Sequence, residues 1–143
     1  MIEYREFNSA LIDEVHEIYE ANKWESYLGN KEKLARAFDR SLYIIGAFDS
    51  EKLVGFARCI GDGEYILYVQ DLIVHPSYFR RGIGRGLMKM VSARFPSVRQ
   101  FVLITDEDDP DSNAFYRAIG LVEKCNGYPV NHYFRSHYNV EGE

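Results

Sequence analysis

Residues 75–88 read HPSYFRRGIGRGLM, placing three arginines and three alternating glycines between an apolar run and an amphipathic one. The apolar run ends at Val74, His75-Pro76 breaks it, and Leu87, Met88, Val91 and Phe95 recur at helical spacing. A strand therefore feeds, through a tight turn, a helix expected from about residue 84 to residue 95. The free N–H groups of that helix's first turn face back into the turn, where they favour an anion. Gly82 and Gly84 let main chain approach a phosphate with no Cβ in the way, while Arg80, Arg81 and Arg85 add positive charge. A diphosphate would satisfy the whole arrangement; the plainer alternative is a tight turn with solvated arginines. A dinucleotide fingerprint is excluded because Leu87 stands three places after Gly84, and no G-x-x-x-x-G-K-[ST] string occurs.

Outward from this turn the chain reads β-α-α-β-β-β-α-β-α-β-β. Residues 2–7 alternate as a strand, and Ser9 is expected to cap a helix over residues 10–20. A second helix over residues 31–39 follows Asn30. Apolar runs at 42–48, 53–60 and 65–74, separated by Asp49-Ser50-Glu51 and Gly61-Asp62-Gly63, predict an antiparallel meander. A strand over 99–105, a helix over 112–119 and two short strands around 121–124 and 132–135 complete the order. No repeat or linker interrupts it, so one domain over residues 1–143 is expected.

A chain of 143 residues, 46% hydrophobic and 27% charged, has the composition of a soluble globular domain, with no apolar run near the roughly 18 residues of a membrane span. The opening MIEYREFNSA lacks a signal-peptide core, and a cytoplasmic location is expected. Cys59 and Cys125 then stay reduced, and neither a disulfide framework nor a metal site is expected. A net charge of −5 argues against a nucleic-acid partner, so any anion site must be local. The densest basic cluster is the one at Arg80, Arg81 and Arg85.

The run LIVHPSYFRRGIGRGLM, with the meander before it and a strand and FYRAIGL after it, resembles the GNAT superfamily of N-acetyltransferases. The resemblance covers nearly the whole chain in element order. It implies an α/β (α+β) GNAT fold, a mixed, mostly antiparallel twisted sheet of six to seven strands flanked by about four helices. It also implies a turn of pattern [Q/R]-x-x-G-x-[G/A] cradling the pyrophosphate of acetyl-CoA. Gly82-Ile83-Gly84 fall on the G-x-G part, which leaves Phe79 at the Gln/Arg position; a register from Arg81 through Gly84 to Gly86 satisfies the string literally. The first register is preferred, because it opens the helix at the glycines. Leu72, Ile73 and Val74 would then pair with the pantetheine amides, and Tyr116 would protonate the leaving thiolate. The asparagine the family usually carries two turns before that tyrosine is Asp109 here, with Asn113 a nearer candidate for a cofactor contact.

Asp71, a carboxylate inside an apolar strand, is the first candidate for general base, with an ion-paired structural carboxylate as the alternative. Tyr68 and Gln70 should lie on the opposite face of the strand. Trp24, Tyr27 and Gln70 are expected at the acceptor, with Tyr128, Tyr133 and Phe134 as another aromatic wall. Together these features imply transfer of an acetyl group to a primary amine of a small molecule by direct attack in a ternary complex. A CoA-binding GNAT-fold module without catalysis, and an acetyltransferase acting on a protein or peptide, remain the alternatives. A homodimer is left open.

Overall fold

The computed structural model describes residues 1–123 together with Asn131 and Tyr133. The chain divides into two compact units, Met1–Ile104 and Thr105–Glu143. The first is a sheet with three helices. Its strands are β1 (Ile2–Glu6), β2 (Tyr43–Asp49), β3 (Lys52–Gly61), β4 (Ile66–Val74) and β5 (Gln100–Val102), in the spatial order of their numbering. Neighbours from β1 to β4 pair antiparallel, and β4 pairs with β5 parallel. The helices are α1 (Ile12–Ala21), α2 (Lys31–Asp39) and α3 (Ile83–Arg94), the last forming the crossover from β4 to β5.

Local chemistry explains the boundaries. Asn30 accepts a hydrogen bond from Lys33 N at 3.0 Å and caps α2 where the sequence places it. Ser9 is not the cap expected of it: Asn8 accepts from Ala10 N at 2.8 Å, opening a 3-10 turn over Ser9–Leu11, while the Ser9 hydroxyl donates to Asp39 at 2.5 Å. Asn8 is the better-placed acceptor because its backbone is still extended, which aims its side chain at the next free N–H groups. In the β3–β4 turn one oxygen of Asp62 accepts from Glu64, Tyr65 and Ile66 N, organising the hairpin without a regular two-residue loop.

Two apolar layers cover the sheet. On one face α1 and α2 bury Val15, Ile18, Tyr19, Leu34 and Phe38 against Ile44, Phe48, Phe56 and Ile73. Each large side chain removed from water there contributes about 1.5–3 kcal/mol. On the other face α3 buries Ile83, Leu87, Met88 and Val91, and Phe95 meets Tyr43 edge-on at 5.4 Å. Gly86 permits this packing, since a Cβ there would lie 2.0 Å from the Tyr4 hydroxyl oxygen.

The second unit contains α4 (Pro110–Ala118), capped by Asp109, which accepts from Ser112 N at 3.1 Å. It ends in a Schellman turn: Gly120, at φ +99°, donates to Arg117 O, and Leu121 N donates to Tyr116 O. The sheet has five strands among the described residues, against the six to seven expected. Residues 121–123 are irregular, and Lys124 and the strand expected over 132–135 fall outside the described residues except for Tyr133, which is not in a strand. Tyr128 and Phe134 are also outside them.

Candidate functional site

β4 is the strand on which the site is built. Its parallel ladder with β5 covers only Ile66, Leu67 and Tyr68, opposite Gln100, Phe101 and Val102. From Val69 to Val74 the same edge has no strand partner among the described residues. On its other side β4 stays paired with β3 as far as Val74 opposite Gly55, and His75 N donates to Val54 O at 2.8 Å. Main-chain groups alternate along an antiparallel strand. With His75 facing β3, so do Ile73 and Asp71, and Leu72 and Val74 turn their N–H groups toward the open edge. The Val74 carbonyl on that edge accepts from Asn22 Nδ2 at 3.0 Å, tying the end of α1 to the end of β4.

The turn after β4 is uncapped. Gly82 adopts φ +75°, with nothing within 4 Å of where its Cβ would stand, and no side chain caps α3. The first helical hydrogen bond runs from Gly86 N to Gly82 O, so the N–H groups of Ile83, Gly84 and Arg85 have no helical acceptor. Ile83 is itself buried and could meet a ligand only through its backbone. The two glycines flanking this turn do different work: Gly82 supplies the left-handed conformation that opens the helix, whereas Gly86 is required by packing against Tyr4. The helix opens at Gly82, as the preferred G-x-G register expects.

The arginines surround this turn. Arg81 lies over the Tyr78 ring at 4.9 Å, and Tyr78 donates to Asp49 at 2.6 Å, which anchors the turn to the β2–β3 hairpin. Arg80 and Arg85 are exposed and have no acidic partner among the described residues. Arg80 holds φ +63°, a left-handed conformation costing a side-chain-bearing residue about 1–2 kcal/mol. Phe79 is 53% exposed on extended backbone. Free N–H groups, open space before Gly82 and unpaired positive charge together fit a diphosphate, and the opened β4 edge beside them fits an extended amide chain.

The other half of the site is a buried polar cluster. Asp71, 2% exposed, accepts from Arg58 Nε at 2.7 Å and Tyr19 OH at 2.9 Å through Oδ2, and from Tyr27 OH at 2.7 Å through Oδ1. Arg58 also donates to Ser41 Oγ at 3.2 Å. Burial alone would lower the Arg58 pKa, but the Asp71 charge and hydrogen bond outweigh it, and the guanidinium stays charged. Burial and then the Asp71 charge push the Tyr27 phenol up to about 12, and raise Tyr19 further. Of the two readings the sequence allows for Asp71, its three donors and almost complete burial favour the ion-paired one.

A bulge shapes this cluster. Arg58 pairs with Asp71 but the next residue, Cys59, pairs with Val69, so Gln70 is an extra residue in β4. The expectation that Gln70 lies opposite Asp71 therefore fails. Gln70 Nε2 donates to Tyr27 OH at 3.2 Å, the same hydroxyl that donates to Asp71. Tyr27 stacks on Tyr19 at 4.3 Å, Tyr19 stacks on Trp24 at 5.9 Å, and Trp24 is 37% exposed.

In the second unit Tyr116 is half-buried on α4, with burial and then the Asp109 carboxylate pushing its phenol up to about 12. Asn113 directs its amide to the carbonyls of Asp106 at 2.9 Å and Asp109 at 2.8 Å, so its donors hold the preceding loop and are not free for a cofactor. Sequence reasoning passed over Arg58, Tyr19 and Asn22. A lone arginine in the apolar run of β3 opposite a lone aspartate in the apolar run of β4 signals the first; Asn22 leaves no comparable trace.

Residues 7–121 match the family model described as the acetyltransferase (GNAT) family, and the chain belongs to that family. A GNAT family acetyltransferase structure, SP0256 of Streptococcus pneumoniae, superposes with a TM-score of 0.80 at 34% identity, covering 96% of this chain and 99% of that one. The PaiA N-acetyltransferase of Thermoplasma acidophilum, solved in complex with coenzyme A, shares the fold with a TM-score of 0.73 at 22% identity, over 89% of this chain and 94% of that one. A ycf52-like N-acetyltransferase of Prochlorococcus marinus is 32% identical over 94 residues, 62% of this chain and 51% of its own length. Serotonin N-acetyltransferase 2, chloroplastic, of rice is 27% identical over 117 residues, 78% of this chain and 57% of its own length. The chain thus spans about half the length of the curated relatives it matches. Among the described residues no helix is long and apolar enough to cross a membrane.

Proposed function

We propose that the protein is an acetyl-CoA-dependent N-acetyltransferase acting on a primary amine of a small molecule by direct attack in a ternary complex. The observation that carries this reading is the loss of the β4–β5 ladder after Tyr68, on the strand that runs into the uncapped glycine turn. Acetyl-CoA supplies an activated thioester. Leu72 and Val74 offer main-chain N–H groups to an extended amide chain and to the carbonyl oxygen on which negative charge develops. Ile83, Gly84 and Arg85 N–H, with the Arg80, Arg81 and Arg85 side chains, hold the diphosphate. Tyr116 is proposed as the acid for the departing thiolate; its raised pKa keeps the proton on the phenol until that charge forms. Cys59 is the cysteine of the first unit and is buried, with burial pushing its thiol up to about 12, which disfavours a thiolate nucleophile there.

A small-molecule acceptor is supported by the partly exposed aromatic step at Trp24 and Tyr27 beside Gln70. The similarity to a protein named serotonin N-acetyltransferase agrees with it. The test is calorimetric titration with acetyl-CoA, with ATP as control, followed by thiol-release assays on a panel of amines. Selective acetyl-CoA binding with turnover of at least one amine is expected. Failure of acetyl-CoA to bind would refute the proposal, and tight binding without turnover of any amine or peptide would point to a module that only holds the cofactor.

A further inference from the structure

Tyr27 and Gln70 meet because of the bulge, and the contact adds little to the core. In an unbroken strand Gln70 and Asp71 would point to opposite faces. The extra residue lets both reach one atom, the Tyr27 hydroxyl oxygen, which donates to Asp71 Oδ1 at 2.7 Å and receives Gln70 Nε2 at 3.2 Å. Behind it Asp71 Oδ2 is occupied by Arg58 and Tyr19. The phenol hydrogen therefore points inward, and the phenol oxygen keeps acceptor capacity on its outer side. Gln70 is exposed and turns its NH2 group to Tyr27, which leaves its carbonyl oxygen without a donor among the described residues.

Two adjacent oxygen acceptors suit a ligand group with several N–H donors. Among these side chains a carboxylate or phosphate would find only the second N–H of Gln70 to accept from, since the Tyr27 hydrogen is committed to Asp71 and Arg58 is only 6% exposed. We infer that Tyr27 Oη and Gln70 Oε1 receive the ammonium group of the acceptor amine, and that Asp71 is a positioning residue that holds the phenol hydrogen inward. This rests on the proposed acetyltransferase reading and names the recognition group within it. It also sets a preference. A primary ammonium, with three N–H donors, satisfies both oxygens, whereas the tertiary ammonium of an N,N-dimethyl analogue satisfies one.

The test uses the full chain and tryptamine, phenethylamine and putrescine as probes, with N,N-dimethyltryptamine as an inhibitor. Tyr27→Phe keeps the ring stacked on Tyr19 and removes only the hydroxyl. It should raise the amine KM about tenfold or more, with a smaller change in kcat and an acetyl-CoA Kd within about twofold of wild type. Gln70→Leu should raise KM by a lesser factor, and Gln70→Glu should recover or exceed wild-type amine affinity, because a carboxylate also accepts from ammonium. The dimethyl analogue should bind wild type more weakly than tryptamine, and Tyr27→Phe should erase that difference. An unchanged KM in Tyr27→Phe, a kcat loss at constant KM, or equal binding of the two tryptamines would overturn the inference while leaving the acetyltransferase reading intact. If wild type binds acetyl-CoA yet neither binds nor acetylates any of the three amines, this inference is overturned, while the acetyltransferase reading still stands or falls on the wider panel of amines.

Discussion

Substituting Asp71→Asn removes the charge from a carboxylate that is 2% exposed while Arg58, at 6% exposure, stays where it is. The Arg58 Nε–Asp71 distance of 2.7 Å makes this a direct, hydrogen-bonded ion pair between two strands. Removing one partner of such a buried pair costs about 3–5 kcal/mol, because the other charge remains without compensation. A domain of this size has a total stability of about 5–15 kcal/mol, so the loss is about a fifth of it or more. At about 3–5 °C per kcal/mol for a chain of this length, the midpoint should fall by about 10–20 °C. Removing both charges together with the Tyr19 hydroxyl should cost less, although the Tyr27 hydroxyl then loses its acceptor. In Arg58→Met with Asp71→Leu and Tyr19→Phe no buried charge is left, and the Tyr19 hydroxyl, which bonds only Asp71, goes too. Urea unfolding followed through Trp24, the only tryptophan and a neighbour of the Tyr19 ring, measures all the variants at one probe. A loss below about 1 kcal/mol for Asp71→Asn, or a triple variant as unstable as the sum of its parts, would refute the account of this cluster.

Four other substitutions test the turn and the proposed acid. Arg80→Gly should stabilise the fold by about 0.5–1 kcal/mol in thermal unfolding, the relief at φ +63° exceeding glycine's entropic cost, and should weaken acetyl-CoA binding in calorimetry. Gly86→Ala should destabilise by about 1–3 kcal/mol through its clash with Tyr4, recovered in part by Tyr4→Leu. Gly82→Ala meets no atom and carries only the positive-φ penalty of about 1 kcal/mol, so its larger effect should appear in cofactor titration. Tyr116→Phe should lower kcat about a hundredfold with little change in acetyl-CoA Kd; because the phenol is pushed up to about 12, wild-type kcat should show no alkaline fall from this group below about pH 11.

What the sequence made legible follows from local rules. The helix over Lys31–Asp39, the β-meander and the strand–turn–helix at residues 66–94 all rest on periodicity and on caps or turns a few residues long. Ser9 and Asn8 are both good caps, and only the extended backbone at Asn8 decides between them. The bulge at Gln70 was not legible, because it depends on which residues of β3 and β4 face each other. Its signature is the register: Arg58 opposite Asp71, then Cys59 opposite Val69. Asn113 shows the limit of transfer by resemblance, since a residue one turn from the expected position serves the loop that precedes its own helix.

That single inserted residue connects the two halves of the site. Leu67, Val69, Asp71 and Ile73 are all buried, and simple alternation would put them on one face. Facing residues of neighbouring strands share a face. Val69 lies opposite Cys59, whereas Asp71 lies opposite Arg58, and Cys59 and Arg58 are consecutive. Val69 therefore belongs to the α3 side, and Asp71 and Ile73 to the side of α1 and α2, where Ile73 joins the core of those helices. The parallel ladder to β5 ends at Tyr68, just before this switch. A strand that changes the face it buries changes its twist and cannot keep a straight neighbour along its whole length. The opening proposed to admit the acyl carrier and the Tyr27–Gln70 contact proposed to hold the amine are thus two consequences of the same extra residue, which brings donor and acceptor to adjoining parts of β4.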